Sequence, residues 1–310
     1  PNPTQPNPAT MKIQYGILSK SIDVTDICMS KLNKRGKITI PFRDVIRSTC
    51  FTDPLVGVHK NIIIEDDAGV ITQYDENVQI EIDASTNKVT AITDKHIYDR
   101  LIALQRTLQI KHGSFTDEFP EQKMAVNFLT GNERVLEIGG NIGRNSLIIG
   151  SIMKCKNNTA KFVTLETDED IAGQLRENRD LNNLDFRIEN SALSNRKLIQ
   201  KGWDTVPSDT LTPGYKWVNT ITLSELQTKY DIVFDTLVLD CEGAFYYILM
   251  DMPEIVTNVE MIIMENDYLD ISHKEYIDTV LKNAGFIVFY SERGGWGPCY
   301  EKFFEVWKKI

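Results

Sequence analysis

Arg134-Val135-Leu136-Glu137-Ile138-Gly139-Gly140-Asn141-Ile142-Gly143 is the stretch on which the fold turns. A short apolar run ends in an acid, bends through glycines and enters a helix-like run at residues 145–153. A strand that passes through a glycine turn into a helix is the arrangement by which α/β proteins hold nucleotides. Glycine adopts torsions closed to other residues and lets the backbone approach a ligand closely. A second strand-like run, residues 161–165, ends in Glu166. The spacing from Gly143 to Glu166 is near the ~20 residues of a β-α-β unit. A carboxylate at that strand end suits a pair of ribose hydroxyls. An ordinary strand-to-helix turn competes as a reading of the glycines alone, and Glu166 weighs against it.

The motif narrows the class of nucleotide. No G-x-x-x-x-G-K-[ST] phosphate loop occurs. The dinucleotide fingerprint G-x-G-x-x-G fails in register, because Asn141 and Arg144 stand where glycines are required after Gly139. The remaining reading is S-adenosyl-L-methionine (SAM), whose sulfonium and amino group are cationic and which has no pyrophosphate. An acid at Glu137 and bare backbone at Gly139 match that charge pattern.

Bulk properties bound the rest. The 310 residues fit one large domain and a small one. A formal net charge of -10, with no dense Lys/Arg run, argues against a nucleic-acid partner. The five cysteines (Cys28, Cys50, Cys155, Cys241, Cys299) are scattered, odd in number and without a C-x-x-C pair. A disulfide framework and a zinc site are therefore weak readings, and a reducing, cytoplasmic setting is expected. No apolar run has the length of a membrane span, and no signal-peptide pattern is seen. The chain begins with Pro1, as a piece of a longer protein would.

Residues 1–10 are Pro/Asn-rich and read as a disordered linker. Residues 11–93 read as a small β-sandwich or barrel, from runs such as Asn61-Ile62-Ile63-Ile64 and Val78-Gln79-Ile80-Glu81-Ile82. This accessory domain is open between a packing role and contact with a glycan or a partner. Residues 94–110 are expected as a connecting helix capped by Thr93, and 121–129 as a second one. From 134 onward, strand-like and helix-like runs alternate, which implies right-handed crossovers and a mostly parallel sheet. The last two strand-like runs, 286–290 and 303–307, are joined by too short a link for a parallel pair, so the final strand is antiparallel. The expected architecture is thus an α/β, Rossmann-like class I methyltransferase sheet over 94–310, preceded by a small all-β domain.

Four segments resemble the FkbM-type SAM-dependent methyltransferases: residues 137–147, Asn190-Ser191-Ala192-Leu193-Ser194, residues 220–226 and Leu237-Val238-Leu239-Asp240-Cys241-Glu242-Gly243-Ala244. The resemblance covers about residues 113–310, and the D-x-E-G-A segment is its most specific part. One departure is Phe245, where the family often carries an acid. The resemblance implies methyl transfer to hydroxyls of sugars, polyketides and related products, hence a sugar or glycan acceptor. By position it implies that Glu137, Gly139, Gly140, Asn141, Gly143 and Asn145 hold the methionine end of SAM. Arg144 stands beside them. It also implies that Glu166 binds the ribose, that Ser191 and Ala192 flank the adenine, and that Asp240 lies beside the transferred methyl.

A sugar hydroxyl needs its proton removed, and a positioned base is worth ~10²–10⁴-fold. Asp240, Glu242, Glu265 and His273 are the catalytic candidates, with Asp267 a weaker one. Each has a plainer role: Asp240 in binding the SAM amino group, Glu242 as a helix-start acid, Glu265 in orienting hydroxyls, Asp267 and His273 as surface. The clustered acids raise a divalent metal as an uncommitted option. Residues 195–218 read as a long loop with Trp203, Tyr215 and Trp217, a candidate lid whose rings suit sugar faces and equally suit packing. Arg196, Lys197 and Lys201 are candidates for a substrate phosphate, and the Trp296 turn for closing the far side. Two alternatives stand beside the sugar O-methyltransferase: a methyltransferase of a non-sugar small molecule or protein side chain, and a catalytically silent SAM-fold binding module.

Overall fold

The computed structural model describes residues 11–310, so the expected linker at 1–10 lies outside the described residues. The chain divides between His96 and Ile97 into two compact units.

The first unit carries β1 (Lys12–Ile17), β2 (Lys20–Asp23), α1 (Thr25–Ser30), β3 (Asn33–Lys34), β4 (Lys37–Ile40), α2 (Asp44–Phe51), β5 (Asn61–Glu65), β6 (Ile71–Tyr74), β7 (Gln79–Asp83) and β8 (Val89–Ile92). The strands form two antiparallel four-stranded sheets, β2-β1-β5-β6 and β3-β4-β7-β8. Alternation supplies the core: Ile13 and Tyr15 on β1, Ile38 and Ile40 on β4, and Ile80 and Ile82 on β7 are buried. The β character expected from the sequence is present, and two short helices interrupt it. The side chain of Arg47 on α2 is buried because its guanidinium donates to the carbonyls of Pro41, Tyr74 and Val78. Buried Lys60 is offset by Asp44 at 3.1 Å and Asp53 at 3.0 Å.

The division between the units falls inside α3 (Asp94–Gln105). The helix starts at Thr93, whose hydroxyl accepts from the backbone N–H of His96. The elements that follow are α4 (Phe119–Phe128), β9 (Val135–Ile138), α5 (Arg144–Lys154), β10 (Phe162–Leu165), α6 (Glu169–Leu181), β11 (Arg187–Glu189) and β12 (Ala192–Leu193). Three short strands come next, β13 (Leu198–Lys201), β14 (Asp204–Pro207) and β15 (Lys216–Val218), then β16 (Thr220–Ile221). The chain ends through α7 (Leu223–Tyr230), β17 (Thr236–Leu239), α8 (Ala244–Asp251), β18 (Met261–Glu265), α9 (Ile271–Asn283), β19 (Phe286–Glu292) and β20 (Phe304–Lys309).

One seven-stranded sheet organises this unit, in the order β11-β10-β9-β17-β18-β20-β19. All pairs are parallel except those of β20, which runs antiparallel to both β18 and β19. This is the class I methyltransferase arrangement, Rossmann-like with a reversed last strand. Every residue of β9, β10 and β17 is buried, as strands covered on both faces require. From β9 the chain steps outward through β10 to β11, then returns to β17 on the other side of β9. Right-handed crossovers therefore place α5 and α6 on one face, α8 and α9 on the other. The strand order reverses between β9 and β17, and ligands of such sheets bind beyond the carboxyl ends at that reversal. No described helix is long and apolar enough to cross a membrane.

Candidate active site

The glycine turn is built by the crossing of two strands. Gly139 and Gly140 both donate to the carbonyl of Leu165 at the end of β10, at 3.0 and 2.8 Å. On its other side Gly139 lies against the end of β17. A Cβ there would stand 1.6 Å from the backbone oxygen of Asp240, and φ is +94°. Only glycine fits that approach. Asn141 follows with φ of 46°, and its N–H donates to Glu166 at 2.9 Å. The turn thus locks the ends of β9, β10 and β17 together.

A cavity of about 830 Å³ opens at these strand ends. Gly139, Asn141, Glu166, Ser191, Ala192 and Asp240 line it, as do Glu242 and Glu265. Glu118 and Glu121, at the start of α4, form another wall. One face of the small sheet β14-β13-β15 closes the side near Glu166, through Leu198, Gln200, Thr205 and Pro207.

Two sets of acids in this cavity differ. Glu166 accepts from the N–H of Asn141 and from that of Asp168 at 2.8 Å, and from the hydroxyl of Thr167. Burial pushes its pKa up, while those donors pull it back. Asp240 has no such support. Burial drives its pKa well above the carboxylate range, and the charges of Glu118, Glu121, Asp267 and Glu242 add to this. Glu265 is raised by burial and by Asp240 and Glu121, and its carboxyl meets that of Glu121 in a hydrogen bond. Glu121 is itself raised by burial, and its Oε2 has no donor. Like charges crowded in low dielectric do not all ionise, so this cluster holds protons at neutral pH. The nearby cations are paired with single carboxylates of the wall: Arg144 with Glu118 at 2.6 Å, and Arg196 with both oxygens of Asp251 at 2.5 Å.

These acids fit a cationic cofactor. The crevice sits at the strand-order reversal, Glu166 keeps a lone pair of Oε2 free for a hydroxyl, and a cluster of acids that a neighbouring cation would help to ionise stands beside the glycine turn. Among the described residues no group of three His, Cys, Asp or Glu side chains is placed to hold a metal ion.

The structure gathers most of the expected residues and moves others. Glu137 is not among the lining residues. It is 2% exposed and its carboxylate accepts from the Ser146 hydroxyl on α5, so it ties strand to helix behind the turn. Burial raises its pKa to about 7. Gly140 and Gly143 serve packing: Cβ atoms there would lie 2.3 Å from Thr164 and 2.3 Å from Leu175, respectively. Asn145 is buried inside α5 and does not line the cavity. His273 also lies off the cavity, its ring stacked on Tyr246 at 3.8 Å and 6°. It stands at the first turn of α9, outside the wall where the other catalytic candidates Asp240, Glu242 and Glu265 gather. Asp267 accepts from the N–H of Gly243 at 2.8 Å and so holds the turn after β17, and burial raises its pKa to about 6.

Residues 195–218 are a three-stranded sheet where a long loop was expected. Trp203 lines the cavity and is 62% exposed, whereas Trp217 and Trp296 are not in its wall. Glu118, Glu121 and Gln200 are among the wall residues that escaped the sequence reading. Glu118 caps α4 with φ of 55° and Glu121 lies in its first turn, so the pair of acids at a helix start was the available signal for the first two.

No family model matches this chain, and no curated protein does. Solved structures are similar at low identity. An O-methyltransferase from Bacillus cereus in complex with S-adenosylhomocysteine is 15% identical, over 70% of this chain and 90% of its own, with a TM-score of 0.35. A ribosomal protein methylase from Lactobacillus delbrueckii subsp. bulgaricus is 13% identical over 66% and 84%, with a TM-score of 0.39. An rRNA methylase from Streptococcus thermophilus is 10% identical over 61% and 93%, also at 0.39. At such scores the function has to be read from the site's own geometry.

Proposed function

We propose that this chain is a SAM-dependent O-methyltransferase whose acceptor is a hydroxyl of a sugar or glycan. One observation carries the reading: the Gly139 turn, Glu166 and Asp240 converge on one acid-lined cavity at the strand-order reversal. SAM supplies a methyl group already activated by its sulfonium. Gly139 and Asn141 would hold its amino-acid end, Glu166 its ribose, and Ser191 and Ala192 its base.

The protein's part is to align and to move a proton. Holding the acceptor in line supplies much of the acceleration. Asp240 would take the hydroxyl proton. Its raised pKa makes it a stronger base than an exposed carboxylate, and a neighbouring cationic ligand favours its ionised form. Glu265, protonated at neutral pH, donates to an acceptor oxygen and orients it. Trp203 offers a flat face for a sugar ring. The engagement of Arg196 by Asp251 leaves little to attract an acceptor phosphate, which supports a neutral acceptor. The resemblance of the D-x-E-G-A segment to FkbM-type enzymes supports the hydroxyl chemistry.

Calorimetry with SAM, followed by radiolabelled methyl transfer to a panel of sugars and oligosaccharides, tests this. Binding with transfer to at least one hydroxyl is expected. Binding without transfer to any hydroxyl acceptor would remove the acceptor class, and no binding at saturating SAM would remove the cofactor.

A further inference from the structure

We propose that Gln200, on the small sheet inserted after β12, is a specificity residue that reads the 6-amino group of the cofactor's adenine. This rests on the SAM reading above.

Gln200 is 5% exposed, lines the cavity, and no donor reaches its Oε1. A buried amide carbonyl without a partner is costly, and such groups in native proteins call for an explanation. The orientation of the amide follows from its neighbours. A carboxylate can only accept, so the Thr167 hydroxyl donates to Glu166. The Thr167 oxygen is then left as acceptor for the Gln200 Nε2, at 2.9 Å. With one N–H of the amide donated to Thr167, the carbonyl faces away from Thr167.

The sheet presents this carbonyl firmly. Leu198 and Gln200 share one face of β13, opposite Pro207 and Thr205 of β14, and all four line the cavity. Lys216, the partner of Gln200 on β15, reaches Asp168 at the N-terminus of α6 with 2.5 Å between Nζ and Oδ2. Gln200 is therefore anchored to the residue after Glu166, in the wall of the cavity that Ser191 and Ala192, the proposed neighbours of the base, also line. A carbonyl there matches adenine, whose exocyclic group is an N–H donor. It opposes hypoxanthine, which carries an oxygen acceptor at the same position.

The test measures binding of S-adenosylhomocysteine and S-inosylhomocysteine to the full chain by calorimetry. The wild type is expected to prefer the adenine form by about tenfold, the worth of one hydrogen bond against an unpaired carbonyl. Gln200→Leu should lose most of that preference, and Gln200→Glu, which keeps an acceptor, should retain it. A wild type that binds both nucleosides equally overturns the assignment without any variant. So does a Leu variant of unchanged melting temperature that keeps the full preference. Failure to bind either nucleoside overturns the SAM reading together with this one.

Discussion

Glu166 and Glu265 stand at the ends of β10 and β18, two parallel strands of one sheet with β9 and β17 between them, and line one cavity, yet their surroundings differ. Glu166 receives two backbone N–H groups and a hydroxyl, which oppose the cost of its burial. Glu265 shares its surroundings with Asp240 and with Glu121, whose carboxyl it touches, and its pKa is driven up. The side chain is the same, so the difference lies in what the adjoining turns supply. The β9 and β10 turns aim N–H donors inward, and the β17 and β18 ends bring further acids. One end of the cavity is thereby an acid whose cost of burial is opposed by fixed donors. The other is a protonated cluster whose charge responds to what binds.

The largest effect should come from breaking the cluster at Asp240. Asp240→Asn is expected to lower kcat by ~10²–10⁴-fold while S-adenosylhomocysteine affinity in calorimetry stays within about threefold. A collapse of affinity with little change in kcat would make Asp240 a ligand for the cofactor amine and not a base. At the other end, Glu166→Ala should weaken S-adenosylhomocysteine by more than about tenfold, since a charge-assisted hydrogen bond goes; unchanged affinity would remove its ribose role. Glu265→Gln is subtler. The glutamine imitates the protonated acid, so activity near pH 7 should stay within about tenfold of wild type. The wild type should lose activity at alkaline pH as Glu265 ionises, and the Gln variant should not show that limb. The acid limb of kcat/KM, set by Asp240, should lie above the ordinary range near ~4.

The smallest effect concerns Glu137, a buried acid outside the cavity. Its folded pKa of about 7 lies above the unfolded value of 4.5, so the folded state holds the proton more tightly. Folding stability is then lost as pH rises from the unfolded value through the folded one, and the loss levels off above it. Glu137→Gln should raise the melting temperature by about 5 °C at pH 8, with the gain fading toward pH 4.5 in thermal scans. A gain independent of pH would show that ionisation of Glu137 is not the cause.

Much of the fold was legible because parallel strands are nearly continuous apolar runs and the helices between them are periodic. Val135 to Ile138 and Thr236 to Leu239 announce themselves this way. The Gly139 turn was legible as a site, but its strongest reason, the backbone oxygen of Asp240, is a contact across about a hundred residues that no local pattern records. The position of Glu137 was not legible because an acid at a strand end points to one face or the other, and the hydrogen bond from Ser146 holds it outside the cavity wall. The small sheet escaped because its strands are three or four residues long and mix polar with apolar positions. Gln200 could not be singled out by residue type, since only its burial and its missing partner distinguish it.

The two short strands that flank the insertion run side by side, Ala192 opposite Thr220 and Leu193 opposite Ile221. Adjacent strands lie about 4.8 Å apart, so the chain leaves the main sheet and comes back at nearly the same point. The intervening segment is a cassette with a closed doorway. It can be lengthened, shortened or exchanged for another without altering the path of the seven main strands, which makes it the natural place to graft new ligand preferences onto this scaffold.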